Sequence, residues 1–335
     1  MAGSGSKAAV YVAIGANSIV AVAKFIGFFL SGSGALLSEA LHSVADVGNQ
    51  TLLAVGMHRS QKPADASHPF GYGQEAFIWA MISAVGMFFL GCGVSIAHGV
   101  QSLLHKHAHD DVDIAIWVLL FSLVVEGACL LVAIKSLQGD AKRNGKGFFY
   151  HLKTTDDPFG VAVLLEDGGA VLGVLIALAA VGLAKWTGNP AFDAAGTIAI
   201  GVLLGLTAMY LVAKNRVYLV GKAISSSDQI KLRDVLTNDP VVESVSVQRA
   251  VVIGTDNYKI SAEIDLDGAV MADQYLQDKD ISKLMESLNS PEQFQTYLRD
   301  YSEFLVDQVG DEIDRIEQKI RDAIPKATDI DLEPN

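Results

Sequence analysis

Residues 31–46 read SGSGALLSEALHSVAD and open an apolar stretch that continues to about residue 57. Within it, His42 and Asp46 are spaced by four, so both lie on one face of a helix, one turn apart. This spacing lets an imidazole nitrogen and a carboxylate oxygen reach a single divalent cation. A hydrogen-bonded packing contact between two helices is the alternative interpretation of the pair.

Six stretches of the chain are long and apolar enough to cross a hydrocarbon core, which takes about 20 helical residues. They lie near residues 8–30, 35–57, 77–103, 112–136, 159–185 and 192–216. Half of the residues are hydrophobic and 19% are charged, which excludes a disordered chain and an ordinary soluble enzyme. The first stretch has no small-residue cleavage site and is too long for a signal sequence, so we interpret it as a retained span. The expected fold class is an α-helical membrane protein with six transmembrane helices.

Charge is distributed unevenly along the chain. Residues 1–222 contain 14 Lys+Arg and 14 Asp+Glu, whereas residues 223–335 contain 11 and 24, so the net charge of -13 lies in the last third. An acidic C-terminal part does not suit nucleic acid, because phosphate binding needs clustered Lys and Arg. The basic residues of the short loops fall eleven to two on one side of the predicted membrane. This asymmetry predicts cytoplasmic termini, and the lack of an Arg-rich transit peptide favours a bacterial inner membrane.

The acidic part is expected to form a cytoplasmic α+β domain, residues 218–335, after a six-helix transmembrane domain of residues 1–217. Ser226 or Ser227 can cap a first helix that ends at Asp239-Pro240. A Val-rich run at 241–253, a turn at 254–257 and an alternating run that follows predict a β-hairpin. A long helix and a short last strand near Ile330 complete part of a ferredoxin-like arrangement, with a helical insertion near 268–303.

Other ionisable groups fall inside the predicted spans, where each costs about 2.5–3.5 kcal/mol on insertion scales and usually marks a transport path. Glu166 and Asp167 stand near the middle of the fifth span, so two helices bring charge inward and can close one buried metal site. Glu126 suits either a proton route or a hydrogen bond to a neighbouring helix. Lys24 lies near its helix end, and we expect it to snorkel to the membrane surface.

Histidines also cluster at the outer end of the third span, where they suit either loose metal binding or a solvated loop. The members of this cluster are His98, His105, His107 and His109. Neither GxSxG nor HExxH occurs, so no hydrolytic enzyme is indicated.

The segment of residues 31–46, followed by Asn49, resembles the second-span signature of the cation diffusion facilitators, the family that includes the zinc transporters. Residues 164–169, LLEDGG, are similar to a divergent branch that includes the mitochondrial zinc exporter of animals. The resemblance covers nearly the whole chain. It implies a homodimer that exports or sequesters a divalent metal, commonly zinc, in exchange for protons.

The resemblance also implies a ligand set. The second-span ligands of the family fall on His42 and Asp46, and its fifth-span His-x-x-x-Asp pair falls on Val163 and Asp167. Because Val163 replaces the histidine, Glu166 is the expected substitute donor. The family also has a metal site in the loop after the second span. Here that loop keeps two of the expected ligands, Asp65 and His68, and has Tyr72 where a second histidine is expected, so metal binding there should be weak.

The leading hypothesis is therefore a proton-coupled exporter of divalent metal that works by alternating access around one site, His42, Asp46, Asp167 and Glu166. Zinc is the first candidate, with manganese, iron or cobalt possible on a nitrogen and oxygen ligand set. The C-terminal domain has neither His nor Cys, so we expect it to dimerise and not to sense metal. The alternative is a non-transporting metal-binding or scaffolding membrane subunit.

Overall fold

Helices make up most of the chain before residue 222. The computed structural model describes the backbone of residues 4–335 apart from 32–33, 105–111, 144, 146, 156, 190 and 278. It describes no side chain at residues 4–10, 13, 27, 28, 30, 31, 34–42, 45, 112, 114 and 115. The helices are α1 Ser4–Ser31, α2 Gly34–Arg59, α3 Glu75–Gly86, α4 Val94–Leu104, α5 Val112–Arg143, α6 Phe148–Thr154, α7 Pro158–Thr187 and α8 Ala191–Gly221. A π-helical segment, Met87–Gly93, joins α3 to α4 without a break.

Four helical segments in the described part of the chain are long and apolar enough to cross a bilayer. They are Glu75–Leu104, Ile116–Arg143, Pro158–Thr187 and Ala191–Gly221. These segments confirm the last four of the six predicted spans. Helices α1 and α2, of 28 and 26 residues, cover the first two predicted spans. Whether α1 and α2 also cross the membrane stays a prediction.

Helix α7 is the most buried of the four apolar segments. Half of its apolar window is buried inside the protein, against 28–33% in the other three. Asp157 caps its first turn by accepting hydrogen bonds from the backbone N–H groups of Phe159 and Gly160, and Pro158 occupies the first turn. Gly188 ends the helix at a φ of 65°, a conformation that only glycine adopts readily. These two signals fix the ends of the helix, and its carboxylates at Glu166 and Asp167 lie buried between them.

Close helix packing depends on glycines of α8. A Cβ atom added at Gly201 would lie 2.8 Å from Ile96 Cγ1 and 3.2 Å from the backbone oxygen of Cys92. A Cβ atom added at Gly205 would lie 2.8 Å from Cys92 Sγ. Small residues at such contacts allow two helix backbones to approach, which is the usual way helices associate in membranes. Helix α8 therefore packs tightly against the end of the π-helical segment and the start of α4.

The C-terminal part of the chain contains helices and one three-stranded sheet. Its elements are α9 Ser226–Thr237, β1 Val242–Val252, β2 Tyr258–Leu266, α10 Gly268–Leu276, α11 Ile281–Ser287, α12 Pro291–Ala323 and β3 Ala327–Pro334. The strand order is β1-β2-β3, with β1 and β2 antiparallel and β2 and β3 parallel. Ile260, Ala262 and Ile264 are buried on one face of β2, as their alternation predicts. The predicted hairpin, long helix and last strand are thus confirmed.

One predicted cap is wrong by one residue. Ser225, and not Ser226 or Ser227, caps α9: its hydroxyl oxygen accepts a hydrogen bond from the backbone N–H of Asp228 at 3.2 Å. The same hydroxyl donates to the Asp228 carboxylate at 2.8 Å. This reciprocal pair satisfies one backbone donor at the helix start and fixes the first turn.

The chain divides into two compact units. One comprises Met1–Val220 with Gly254–Asp256, and the other comprises Gly221–Ile253 with Asn257–Asn335. Within the first unit, the apolar core gathers around α7, where Phe159, Val161 and Val163 are almost completely buried. Within the second unit, Ile316 and Ile320 of α12 are buried, as are Ile260 and Ile264 of β2. Each unit therefore has an apolar interior of its own.

Candidate metal-transport site

The predicted ligands on α2 and α7 lie close together inside the first unit. Glu166 and Asp167 are both buried, at 5% and 4% exposure. Asp46 is an electrostatic neighbour of both carboxylates. The structure therefore places the α7 acids within electrostatic range of Asp46, on two helices that are far apart in the chain.

The buried acids of α7 have carboxylate oxygens with no hydrogen-bond donor. Both oxygens of Glu166 and the Oδ2 atom of Asp167 are without a hydrogen bond from the described residues. Asn49 and Gln50 of α2 are the nearest polar neighbours of the Glu166 carboxylate. A buried polar atom without a partner costs about 1–3 kcal/mol, and more when it is charged. Such atoms in a folded protein call for an explanation, and a bound ion or water is a common one.

Helix α7 offers a carboxylate where the family resemblance expects a histidine. Val163 is completely buried in the apolar core, so it contributes packing only. Glu166 immediately precedes Asp167, so the two side chains leave the helix about 100° apart. Both nevertheless have Asp46 as an electrostatic neighbour, because the longer Glu166 side chain reaches toward α2. The role of Glu166 as a substitute donor stays a prediction.

His42 is the remaining member of the predicted ligand set, and its side chain lies outside the described residues. Its backbone belongs to α2, four residues before Asp46. Among the side chains that the structure does describe, no three His, Cys, Asp or Glu residues are close enough to hold a metal ion. The complete four-ligand site therefore stays a prediction.

A small cavity opens beside Asp46. It has a volume of about 30 Å³ and is lined by polar residues from three helices, Lys24, Asp46 and Glu126. Gly169 and Gly173 of α7 form part of its wall, and their lack of side chains leaves this space open. A volume of this size holds about one or two water molecules or one ion.

Lys24 does not snorkel, so that interpretation of the sequence is wrong. Only 2% of the residue is exposed, and its Nζ atom lies 4.0 Å from Glu126 Oε1. The Nζ atom also donates a hydrogen bond to Ser43 Oγ at 3.0 Å. Of the two roles weighed for Glu126, the interaction with a neighbouring helix is present, through Lys24 of α1. The buried ion pair provides the compensation that a charge in this environment needs.

The loop after α2 contains the second, weaker set of predicted ligands. The Asp65 carboxylate accepts hydrogen bonds from Ser67 Oγ at 2.6 Å and from Tyr72 Oη at 2.8 Å. These bonds, together with one from the backbone of His68, hold the pKa of Asp65 below its usual range. Tyr72, at the position where the family resemblance expects a histidine, therefore donates its hydroxyl hydrogen to the Asp65 carboxylate. The loop is exposed, and the hydrogen-bond donors to the Asp65 carboxylate all come from the loop itself.

The outer histidine cluster is only partly described. His98 is half-buried on α4. His105, His107 and His109 lie outside the described residues. Their metal binding stays a prediction.

Apolar helices around buried carboxylates are features of a multi-pass membrane protein with a polar interior. Residues 10–220 match the family model described as the cation efflux transmembrane domain. The chain therefore belongs to the cation efflux family.

Three relatives show the range of similarity. The chain is 36% identical over 327 residues to the mitochondrial proton-coupled zinc antiporter SLC30A9 of Homo sapiens, covering 97% of this chain and 58% of the relative. It is 37% identical over 334 residues to metal tolerance protein C4 of Arabidopsis thaliana, covering 98% and 73%. It is 23% identical over 329 residues to magnetosome protein MamB of Magnetospirillum gryphiswaldense, covering 96% and 91%. The chain thus spans little more than half the length of the human relative.

Proposed function

We propose that this protein exports a divalent metal, zinc in the first place, in exchange for protons. Transport would proceed by alternating access around one intramembrane site formed by His42, Asp46, Asp167 and Glu166. The observation that supports this most is the pair of buried acids on α7. Three of their four carboxylate oxygens receive no hydrogen bond from the described residues, and Asp46 of α2 is an electrostatic neighbour of both acids. A divalent cation would satisfy these oxygens.

Proton exchange follows from the chemistry of the proposed ligands. A metal ion binds the neutral imidazole of His42 and ionised carboxylates, so loading displaces protons from these groups. Reprotonation from the opposite side of the membrane then favours release of the ion. The metal and the protons compete for the same lone pairs, and rocking of the helices around this fixed point would expose it to each side in turn.

Zinc is supported by similarity more than by the ligand set. The human relative is named as a proton-coupled zinc antiporter, which supports both the cargo and the counter-ion. One nitrogen and two or three oxygens also suit manganese, iron or cobalt. These metals are therefore the alternatives to test beside zinc.

The proposal extends to the architecture around the site. Helices α1 and α2 would complete six spans in a transport domain of residues 1–217, followed by a ferredoxin-like domain of residues 218–335. The excess of basic residues on one side supports termini in the cytoplasm. A homodimer is proposed from the family. The bacterial inner membrane stays a prediction, and the human relative is named as mitochondrial.

Transport by purified protein in liposomes tests the proposed function. We expect zinc uptake driven by an opposing proton gradient, and we expect His42→Ala and Asp46→Ala to abolish it. His58→Ala, which changes an exposed histidine at the end of the same helix, is the matched control and should leave uptake unchanged. Uptake that persists in both site variants would rule out the proposed site.

The second candidate is a metal-binding or scaffolding subunit that does not transport. It is favoured by Val163, which removes a family ligand from α7. This candidate predicts zinc binding without flux, so binding and uptake measured on one preparation separate the two functions.

A further inference from the structure

Lys24 and Glu126 form an ion pair in the interior of the first unit. The side chains are 2% and 8% exposed, and Nζ lies 4.0 Å from Oε1. The hydrogen bond from Lys24 Nζ to Ser43 Oγ extends the contact to a third helix. The ammonium group therefore lies between α1, α2 and α5.

This ion pair adjoins the proposed metal site. Lys24, Glu126 and Asp46 line the same cavity, and Ser43 directly follows His42 in α2. Glu126 is also an electrostatic neighbour of Asp167. Lys24 is the only basic side chain among the described residues that line the cavity. Its positive charge thus shares the cavity with acids of α2 and α5, and these acids are in turn electrostatic neighbours of Asp167 on α7.

We propose that Lys24 is a built-in counter-cation that neutralises Glu126 and so sets the net charge that the transported metal ion meets. This inference rests on the proposed function. A buried ion pair contributes little net stability compared with apolar residues of similar volume, so stability alone does not explain a lysine at this position. With Lys24 in place, Glu126 is compensated by the protein, and the other carboxylates remain for the metal. Lys24 is therefore a charge-setting residue and not a ligand.

The proposal predicts opposite effects of two neutral substitutions on zinc affinity. Lys24→Met removes the ammonium group but keeps most of the side-chain length, so the site loses one positive charge and should bind zinc about tenfold more tightly. Glu126→Gln removes one negative charge beside the site and should weaken zinc binding about tenfold. The double variant should bind within about threefold of the wild type. The measurement is calorimetric titration of zinc into full-length protein in lipid nanodiscs, with liposome uptake measured in parallel.

A conservative variant and the double variant keep the test decisive. Lys24→Arg retains the charge and should bind zinc within about threefold of the wild type. If a single variant does not fold, the double variant and the charge exchange Lys24→Glu with Glu126→Lys are measured in its place. Zinc affinity within about threefold of the wild type supports the proposal, and a larger change overturns it.

Three results would overturn the inference while leaving the proposed function intact. The first is a change of zinc affinity in the same direction in both single variants, and the second is an unchanged zinc affinity in Lys24→Met. The third is a loss of zinc affinity in Glu126→Gln that adding Lys24→Met does not reverse. The last result would make Glu126 a ligand. A wild-type protein that neither binds nor moves zinc would instead overturn the proposed function itself.

Discussion

Glu166 is the residue at which stability and function are most clearly opposed. Its carboxylate is buried in the protein interior, and neither oxygen accepts a hydrogen bond from the described residues. An ionised group in this position destabilises the folded protein unless a cation compensates it. A transported ion would provide this compensation. The stability that the protein loses by burying the carboxylate would then be recovered as binding free energy for the ion.

Glu166→Gln is expected to separate these two effects. The substitution keeps the shape and removes the charge, so the free energy of unfolding should stay the same or rise by up to about 2 kcal/mol. Zinc affinity should fall about 10- to 100-fold, the range seen when a group that supports metal binding is removed. Thermal unfolding and zinc titration of the full-length protein measure the two quantities. Glu286→Gln, at an exposed position of α11, is the control and should change neither; a loss of stability together with unchanged affinity would contradict the expectation.

At the scale of elements, the C-terminal unit depends on a charge network that links the end of α9 to α12. The Asp239 side chain is 1% exposed and receives two hydrogen bonds from the Arg315 guanidinium, at 2.6 and 2.8 Å, and one from Lys319 Nζ at 2.8 Å. Arg315 also donates to Glu312 at 2.6 Å. Burial alone would raise the pKa of Asp239, but the hydrogen bonds from Arg315 and Lys319 outweigh it and hold the pKa below its usual range. The bidentate geometry makes this a strong contact.

Asp239→Asn should destabilise the C-terminal unit by about 1.5–3 kcal/mol, the usual contribution of a hydrogen bond to a charged group. Hydrogen exchange of the full-length protein should show faster exchange in α9 and in the second half of α12. Asp311→Asn, at an exposed position of the same helix, should leave exchange unchanged. Equal exchange in Asp239→Asn and the wild type would show that the network contributes nothing.

The same network predicts a dependence on pH. Because the folded-state pKa of Asp239 is lower than its unfolded value, its contribution to stability is fully present above the ordinary carboxyl range. It is lost as the pH falls below about 4 toward the folded-state pKa. The wild type should therefore lose protection of α12 more steeply with acid than Asp239→Asn does, and parallel pH profiles would contradict this.

At the scale of the whole molecule, the chain divides into two units, each with its own apolar interior. The second unit contains a three-stranded sheet, with buried residues of α12 and β2 in its interior. The insertion predicted near 268–303 consists of α10, α11 and the first third of α12.

Residues 220–335 expressed alone are expected to fold and to form dimers without metal. The absence of His and Cys from this segment leaves carboxylates as its metal-binding groups, which are weak zinc ligands without softer donors. Sedimentation in the presence and absence of a chelator measures the oligomeric state. A segment that stays monomeric at all concentrations, or that dimerises only with zinc, would argue against the proposed role.

Much of the molecule was predictable from local patterns. The last four spans follow from apolar length, and the hairpin and α12 follow from periods of two and of three to four residues. His42, Asp46, Glu166 and Asp167 stand out because charge inside an apolar run is costly wherever the run ends up. The cap at Ser225 was missed by one residue because three consecutive serines offer the same chemistry, and only the backbone geometry distinguishes them.

The sequence by itself thus determined the helices, the strands and the family, because residue spacing and composition along the chain are enough to predict each of them. Only the tertiary structure decided that Lys24 of α1 pairs with Glu126 of α5, that both adjoin Asp46, and that Glu166 reaches α2. The physical reason is that a hydropathy pattern reports which residues are buried but not which buried residues meet. That second question depends on how helices distant in sequence pack, and glycines such as Gly201 determine how closely they do so.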